Sequence, residues 1–231
     1  MRLSHKLFGG ILIGALLSFS AFRQAVKASD TLTTKATVGL LDGPEPDGPN
    51  DIWDPYDPDD PYPGDPADPD NKGTGSVGQL TLDYVSNLRF GSHEIRNGGL
   101  TATALNTHAM AQITDGRGNG AGWTLQLRPD YLVGEQTGSV IGDGYLYLGS
   151  IMIRKPSTNV SSAPNVKATR IPLGQWENIV TAPVNSGKSV WTIGFNQVES
   201  SPTTLVINDL SGLKADHYVG SLSWSLTNAP T

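Results

Sequence analysis

The sequence has no cysteine, only four histidines (His5, His93, His108 and His217) and a charged fraction of just 16%. The missing thiol excludes a disulfide scaffold, a Cys-ligated zinc or iron–sulfur centre and a thiol nucleophile. Four histidines leave few candidates for imidazole catalysis or metal ligation. Cationic surplus is absent too. The formal net charge is −6, which argues against a nucleic-acid partner. No Gly-x-Ser-x-Gly frames a serine. Glu94, Asp130, Glu135, Asp143, Glu177 and Glu199 share no motif that would pair two carboxylates across a cleft. The chain therefore reads as a non-enzyme with no cofactor and no metal site.

What is present is unevenly placed. Residues 1–28 have the form of a secretory signal peptide. Arg2 and Lys6 precede an apolar run from Leu7 to Phe22, and Val26 and Ala28 supply small residues at a cleavage site. The run is shorter than the ~20 residues a spanning helix needs. No second long apolar run follows, so the mature chain is expected to have no membrane span. Residues 29–41 form a short segment with a β-like run. Residues 42–72 are an acidic Pro/Asp-rich linker. Eleven of the 22 acids and nine of the 16 prolines fall within 42–71, with no Lys or Arg among them. Proline removes donors and like charges repel, so this stretch is expected to be a disordered, extended spacer. Trp53, Tyr56 and Tyr62 are aromatic beads along it. Asp59, Asp60, Asp65, Asp68 and Asp70 could gather Ca²⁺ loosely, although a solvated spacer is the simpler reading.

Residues 73–231 read as one all-β domain, sandwich- or barrel-like. Gly, Asn, Asp and Ser clusters punctuate short runs rich in Thr, Val, Ile and Tyr. The expected strands are 79–84, 88–90, 108–114, 123–127, 145–153, 190–196, 204–207 and 221–226. Trp123, Leu125 and Leu127 alternate along one strand face, as do Leu222, Trp224 and Leu226. No window of a dozen residues has a helical period. One short helical turn is the most expected near 175–180 or 184–188.

Two tryptophan motifs stand out. Trp123-Thr124-Leu125 is a W-x-L triplet. A second, Trp224-Ser225-Leu226, sits inside a Tyr-x3-Leu-x-Trp-x-Leu-x3-Pro frame running from Tyr218 to Pro230. The pair resembles the WxL-domain surface proteins of low-GC Gram-positive bacteria, in which a second W-x-L lies in a similar C-terminal frame. Ser223 stands where that frame usually has Thr. The Gly-rich lead-in from Asp115 and Arg117 to Trp123 is similar as well.

The resemblance implies an exported protein held non-covalently at the cell wall through peptidoglycan, in a multi-protein complex with other surface proteins. It implies no catalytic activity. The different reading is an adhesin-type module for host matrix or another carbohydrate or protein ligand. The residues expected to matter for binding are Trp123, Leu125, Trp224, Leu226 and Tyr218. Asp115 and Arg117 are expected to pin their loop. The two triplets should lie on adjacent strands or across one groove. Each Trp–Leu pair is first of all a core pair on one strand face. An exposed aromatic platform is the functional version, with Trp123, after its Gly-rich loop, the better candidate for ligand contact.

Overall fold

A computed structural model of the chain describes residues 31–32 and 48–230. The signal-peptide reading of 1–28, most of the 29–41 segment and residues 42–47 of the linker lie outside the described residues.

Among the described residues there is no helix, and all strand pairs are antiparallel. Strands are numbered in chain order. The first sheet has the order β1 (Thr31–Leu32), β16 (Leu222–Thr227), β5 (Trp123–Pro129), β12 (Glu177–Ala182) and β10 (Asn165–Val166). The second runs β2 (Leu80–Val85), β4 (Met110–Asp115), β13 (Ser189–Gly194) and β9 (Met152–Arg154). The third runs β11 (Arg170–Pro172), β8 (Gly144–Tyr147), β14 (Thr204–Ile207) and β3 (Leu100–Thr103). The fourth is short: β15 (Tyr218–Val219), β6 (Leu132–Gly134) and β7 (Val140–Ile141).

The alternation of apolar residues explains the layers. Leu82 and Ile113 of the second sheet, with Trp191 and Ile193, join Trp123, Leu125, Leu127, Trp224 and Leu226 of the first in one buried cluster. Phe195 stacks on Trp224 across it, ring centroids 6.0 Å apart. This is the core of an all-β sandwich. A second, smaller cluster holds Leu205 and Ile207 of the third sheet with Ile141 of the fourth.

Several strands differ from the sequence expectation. The run 145–153 is not one strand. Gly149 turns with φ +68° between β8 and β9, which belong to different sheets. Residues 88–90 form no strand. The stretch around 175–180, where at most a short helical turn is expected and no strand, enters β12. A register shift between Asn178 and Val180 buries Ile179 and Val180 together, which hides the period of two.

The linker differs most. Residues 48–72 have little regular structure, as their prolines dictate, but they do not hang free. They lie as a strap over the polar outer face of the second sheet. Gln112 donates to the Asp51 carbonyl (2.8 Å) and accepts from the Trp53 amide (2.8 Å). Asn50 donates to Thr81 and to Asp83, and Arg154 donates to the Pro55 carbonyl. Tyr62 packs on Tyr84 at 4.9 Å and Tyr56 lies edge-on to His108 at 5.0 Å, so the aromatic beads are anchors. The carboxylates of Asp65 and Asp68 are buried and satisfied by N–H groups. Asp65 accepts from the His108 amide and from Asn106, and Asp68 accepts from the Asn87 amide and side chain. A carboxylate that ends on several N–H donors has no need of a cation partner. Charge density, the reason for expecting a free spacer, is thus offset here by directed hydrogen bonds.

Candidate functional site

The two W-x-L triplets lie on neighbouring strands. In the β5–β16 register Leu125 faces Leu226 and Leu127 faces Trp224. Because the strands run antiparallel, Trp123 and Trp224 project to the same face from positions offset along the pair. That face is the interior. Trp123, Leu125 and Leu226 are 0% exposed and Trp224 is 1% exposed. The exposed aromatic platform is therefore not formed, and Trp123, the ring expected to meet a ligand, shows no face to solvent. Its indole N–H donates to the Gly187 carbonyl at 2.9 Å. Gly187 has φ +70°, and a Cβ there would stand 2.7 Å from the indole nitrogen. Only glycine brings the chain this close in this conformation. The Trp224 indole nitrogen is also buried, with no hydrogen-bond partner among the described residues.

The opposite sides of the same strands are polar, yet Thr124, Ser223 and Ser225 there are buried as well, and Gln126 and Arg128 are half-buried. The Thr124 hydroxyl donates to the Ala229 carbonyl, which ties the C-terminal segment back over β5. Arg117 completes this tie. Its guanidinium pairs with the buried Asp115 carboxylate at 2.8 Å and also reaches the Gly122 and Asn228 carbonyls. The Asp115–Arg117 loop thus joins the end of β4, the start of β5 and the tail after β16.

Tyr218 stands apart from the tryptophans. It lies on β15, pairs with Gly134, packs on the second cluster and donates its hydroxyl to the Lys214 carbonyl at 2.8 Å. There it borders an open groove of about 1100 Å³, floored by Leu100, Leu205 and Ile207. Nothing in the spacing of the motif announces this groove. The alternation of Leu100 with Ala102 and of Leu205 with Ile207 is the one sequence signal for its floor.

A third feature is electrostatic. Asp83 is buried beneath the strap, with four donors on its two oxygens: Thr81 and Asn50 on one, Thr114 and Gln112 on the other. Burial pushes its pKa above the usual carboxylate range, and those hydrogen bonds oppose the shift. Burial likewise raises the Tyr84 hydroxyl to about 12. Among the described residues no cluster of three or more His, Asp or Glu side chains could hold a metal ion, and no helix is long and apolar enough to cross a membrane.

The structure is thus an all-β sandwich held shut by paired W-x-L strands. The family description "WxL domain surface cell wall-binding" matches residues 27–230, and the chain is a member of the WxL-domain family. That family is a binding family, and the chain is a cell-surface, cell-wall-binding protein. No curated protein and no solved structure matches it.

Proposed function

We propose that this chain is exported by its N-terminal segment, is retained non-covalently on peptidoglycan through residues 73–231, and works within a multi-protein surface complex. The family membership of residues 27–230 is the observation that carries this reading. The motif residues Trp123, Leu125, Trp224 and Leu226 serve the attachment by building the sandwich, since a ring with no exposed face cannot touch a glycan. Contact with the wall falls to the exposed loops that these residues hold in place. The Asp115–Arg117 bracket fixes one such loop. Tyr218 serves a separate surface.

Sedimentation with purified, protein-free walls of the source bacterium tests the reading. The protein should pellet with the walls and be released when muramidase digests the glycan. Retention on host matrix proteins without wall binding would favour the adhesin reading and overturn this one.

A further inference from the structure

The groove beside Tyr218 is underfilled for a core. Protein interiors leave few voids larger than a water molecule, and a half-open apolar space of about 1100 Å³ is of the size that holds a ligand or partner. At its mouth Ile95 and Leu105 are 45% and 60% exposed. Two large aliphatic side chains in water beside an apolar groove mark a contact surface.

One wall of the groove is the edge strand β3. Leu205 faces Ala102 and Ile207 faces Leu100 in its register with β14, and the Ala104 amide donates to the Thr203 carbonyl. Residues 100, 102 and 104 therefore spend their backbone groups on β14. Thr101 and Thr103 turn theirs to the opposite side, where the Leu105 amide meets the Arg89 carbonyl. Among the described residues no strand pairs with that side of β3. The free edge and the apolar groove adjoin, since Leu100, Ala102 and Leu105 line the groove.

Charge narrows the occupant further. Of the acids on the rim, Glu94 is paired with Arg96 and Asp130 with Arg128, whereas Asp216 accepts from Thr137 and the Gln136 amide and keeps its negative charge. The rim cations Arg89 and Lys214 make no ion pair among the described residues. Arg89 and Lys214 thus outnumber the unpaired Asp216, and in a chain of net charge −6 this local cationic surplus beside an apolar groove selects an anionic partner.

We propose that β3 and this groove dock an extended segment of a partner surface protein. The segment would add as an antiparallel or parallel strand at Thr101–Thr103, place alternate aliphatic side chains in the groove and set acidic residues against Arg89 and Lys214. This rests on the surface-complex reading above and names the site through which such a complex would be joined.

The test uses the full-length mature protein and a blocked seven-residue peptide with Val, Leu and Val at alternate positions and Glu at both ends. A second peptide has Lys at both ends, and a third is the Glu peptide with its alternate backbone amides N-methylated. Hydrogen exchange and amide chemical shifts are followed by NMR. The Glu peptide should slow exchange at Thr101 and Thr103 at least tenfold and shift Leu205 and Ile207. The Lys peptide and the N-methylated peptide should each bind at least tenfold more weakly. Lys214→Glu with Arg89→Glu, both exposed positions that leave the core intact, should invert the preference between Glu and Lys peptides. No shift at millimolar Glu peptide overturns the proposal. So does equal binding of the N-methylated peptide, which would make the groove a site for any apolar ligand, and so does protection at Thr101 and Thr103 that grows with protein concentration alone, which would make it a self-association edge. Wall sedimentation of the same double variant should equal that of the parent. Peptide binding lost with wall binding intact, or the reverse, shows which of the two readings has failed.

Discussion

Leu125 and Leu226 face each other across β5 and β16, so the middle of the sandwich is the place where the two W-x-L triplets meet. A repeated aromatic–aliphatic pair at two distant points of the sequence is thus one packing unit. Replacing Trp123 or Trp224 by alanine should each cost about 3–5 kcal/mol of stability. Wall binding should fall only as far as the folded fraction falls. Melting and wall sedimentation on the same variants check this, and a stable Trp123→Ala protein that has lost wall binding would contradict it.

The two indoles should differ in how they tolerate phenylalanine. Trp123 bonds the Gly187 carbonyl, whereas the Trp224 nitrogen bonds nothing among the described residues. Trp123→Phe should be the more damaging by about 1–2 kcal/mol, because it strands a buried carbonyl. Chemical denaturation of both variants decides it. Gly187→Ala should damage the same spot, by about 1–3 kcal/mol, through its positive φ and its contact with the Trp123 ring.

The strap makes its own prediction. A protein beginning at Lys72 would lose the cover over Gln112, Thr81 and Asp83, all buried in the intact chain. It should melt well below the full chain. Proteinase K should spare residues 48–72 of the intact protein, and the amides of Trp53 and His108, which bond Gln112 and Asp65, should be protected from exchange. Rapid trimming to a fragment starting near Gly73 would show that the strap is loose.

Asp83 gives a pH dependence with a definite sign. Burial raises its folded pKa above the unfolded value, so the folded protein holds this proton more tightly. Its contribution is complete below the unfolded carboxylate pKa and is lost as pH rises through the raised folded value. The stability of the parent minus that of Asp83→Asn should therefore decrease from pH 4 upward. A difference that is flat or increasing over that interval would show that the four donors outweigh burial.

The all-β class was legible because Trp123, Leu125 and Leu127 announce a period of two, as do Leu222, Trp224 and Leu226. The pairing of the triplets followed from their repetition. The short strands β6, β7, β10, β11 and β15 were not legible, since two or three residues carry no period. The direction in which Trp123 points was not legible either. A Gly-rich loop reads as exposure, but here the left-handed Gly122 and Gly187 let the chain fold tightly over the ring. The strap was missed for a related reason. Composition averages over Asp54, Asp65 and Asp68, whereas their placement, two of the three buried beneath their own donors, is a property of the fold.

The pairing of Thr31 with Ser225 and of Leu32 with Trp224 joins positions about 190 residues apart. Closing so long a loop is slow compared with local structure formation. A chain that is synthesised or threaded from its N-terminus cannot complete the first sheet until β16 has emerged, because β5 also waits for β16 as a neighbour. The first sheet is therefore the part of the fold that closes last, while the second and third, whose strands end by residues 194 and 207, have all their strands before β16 appears.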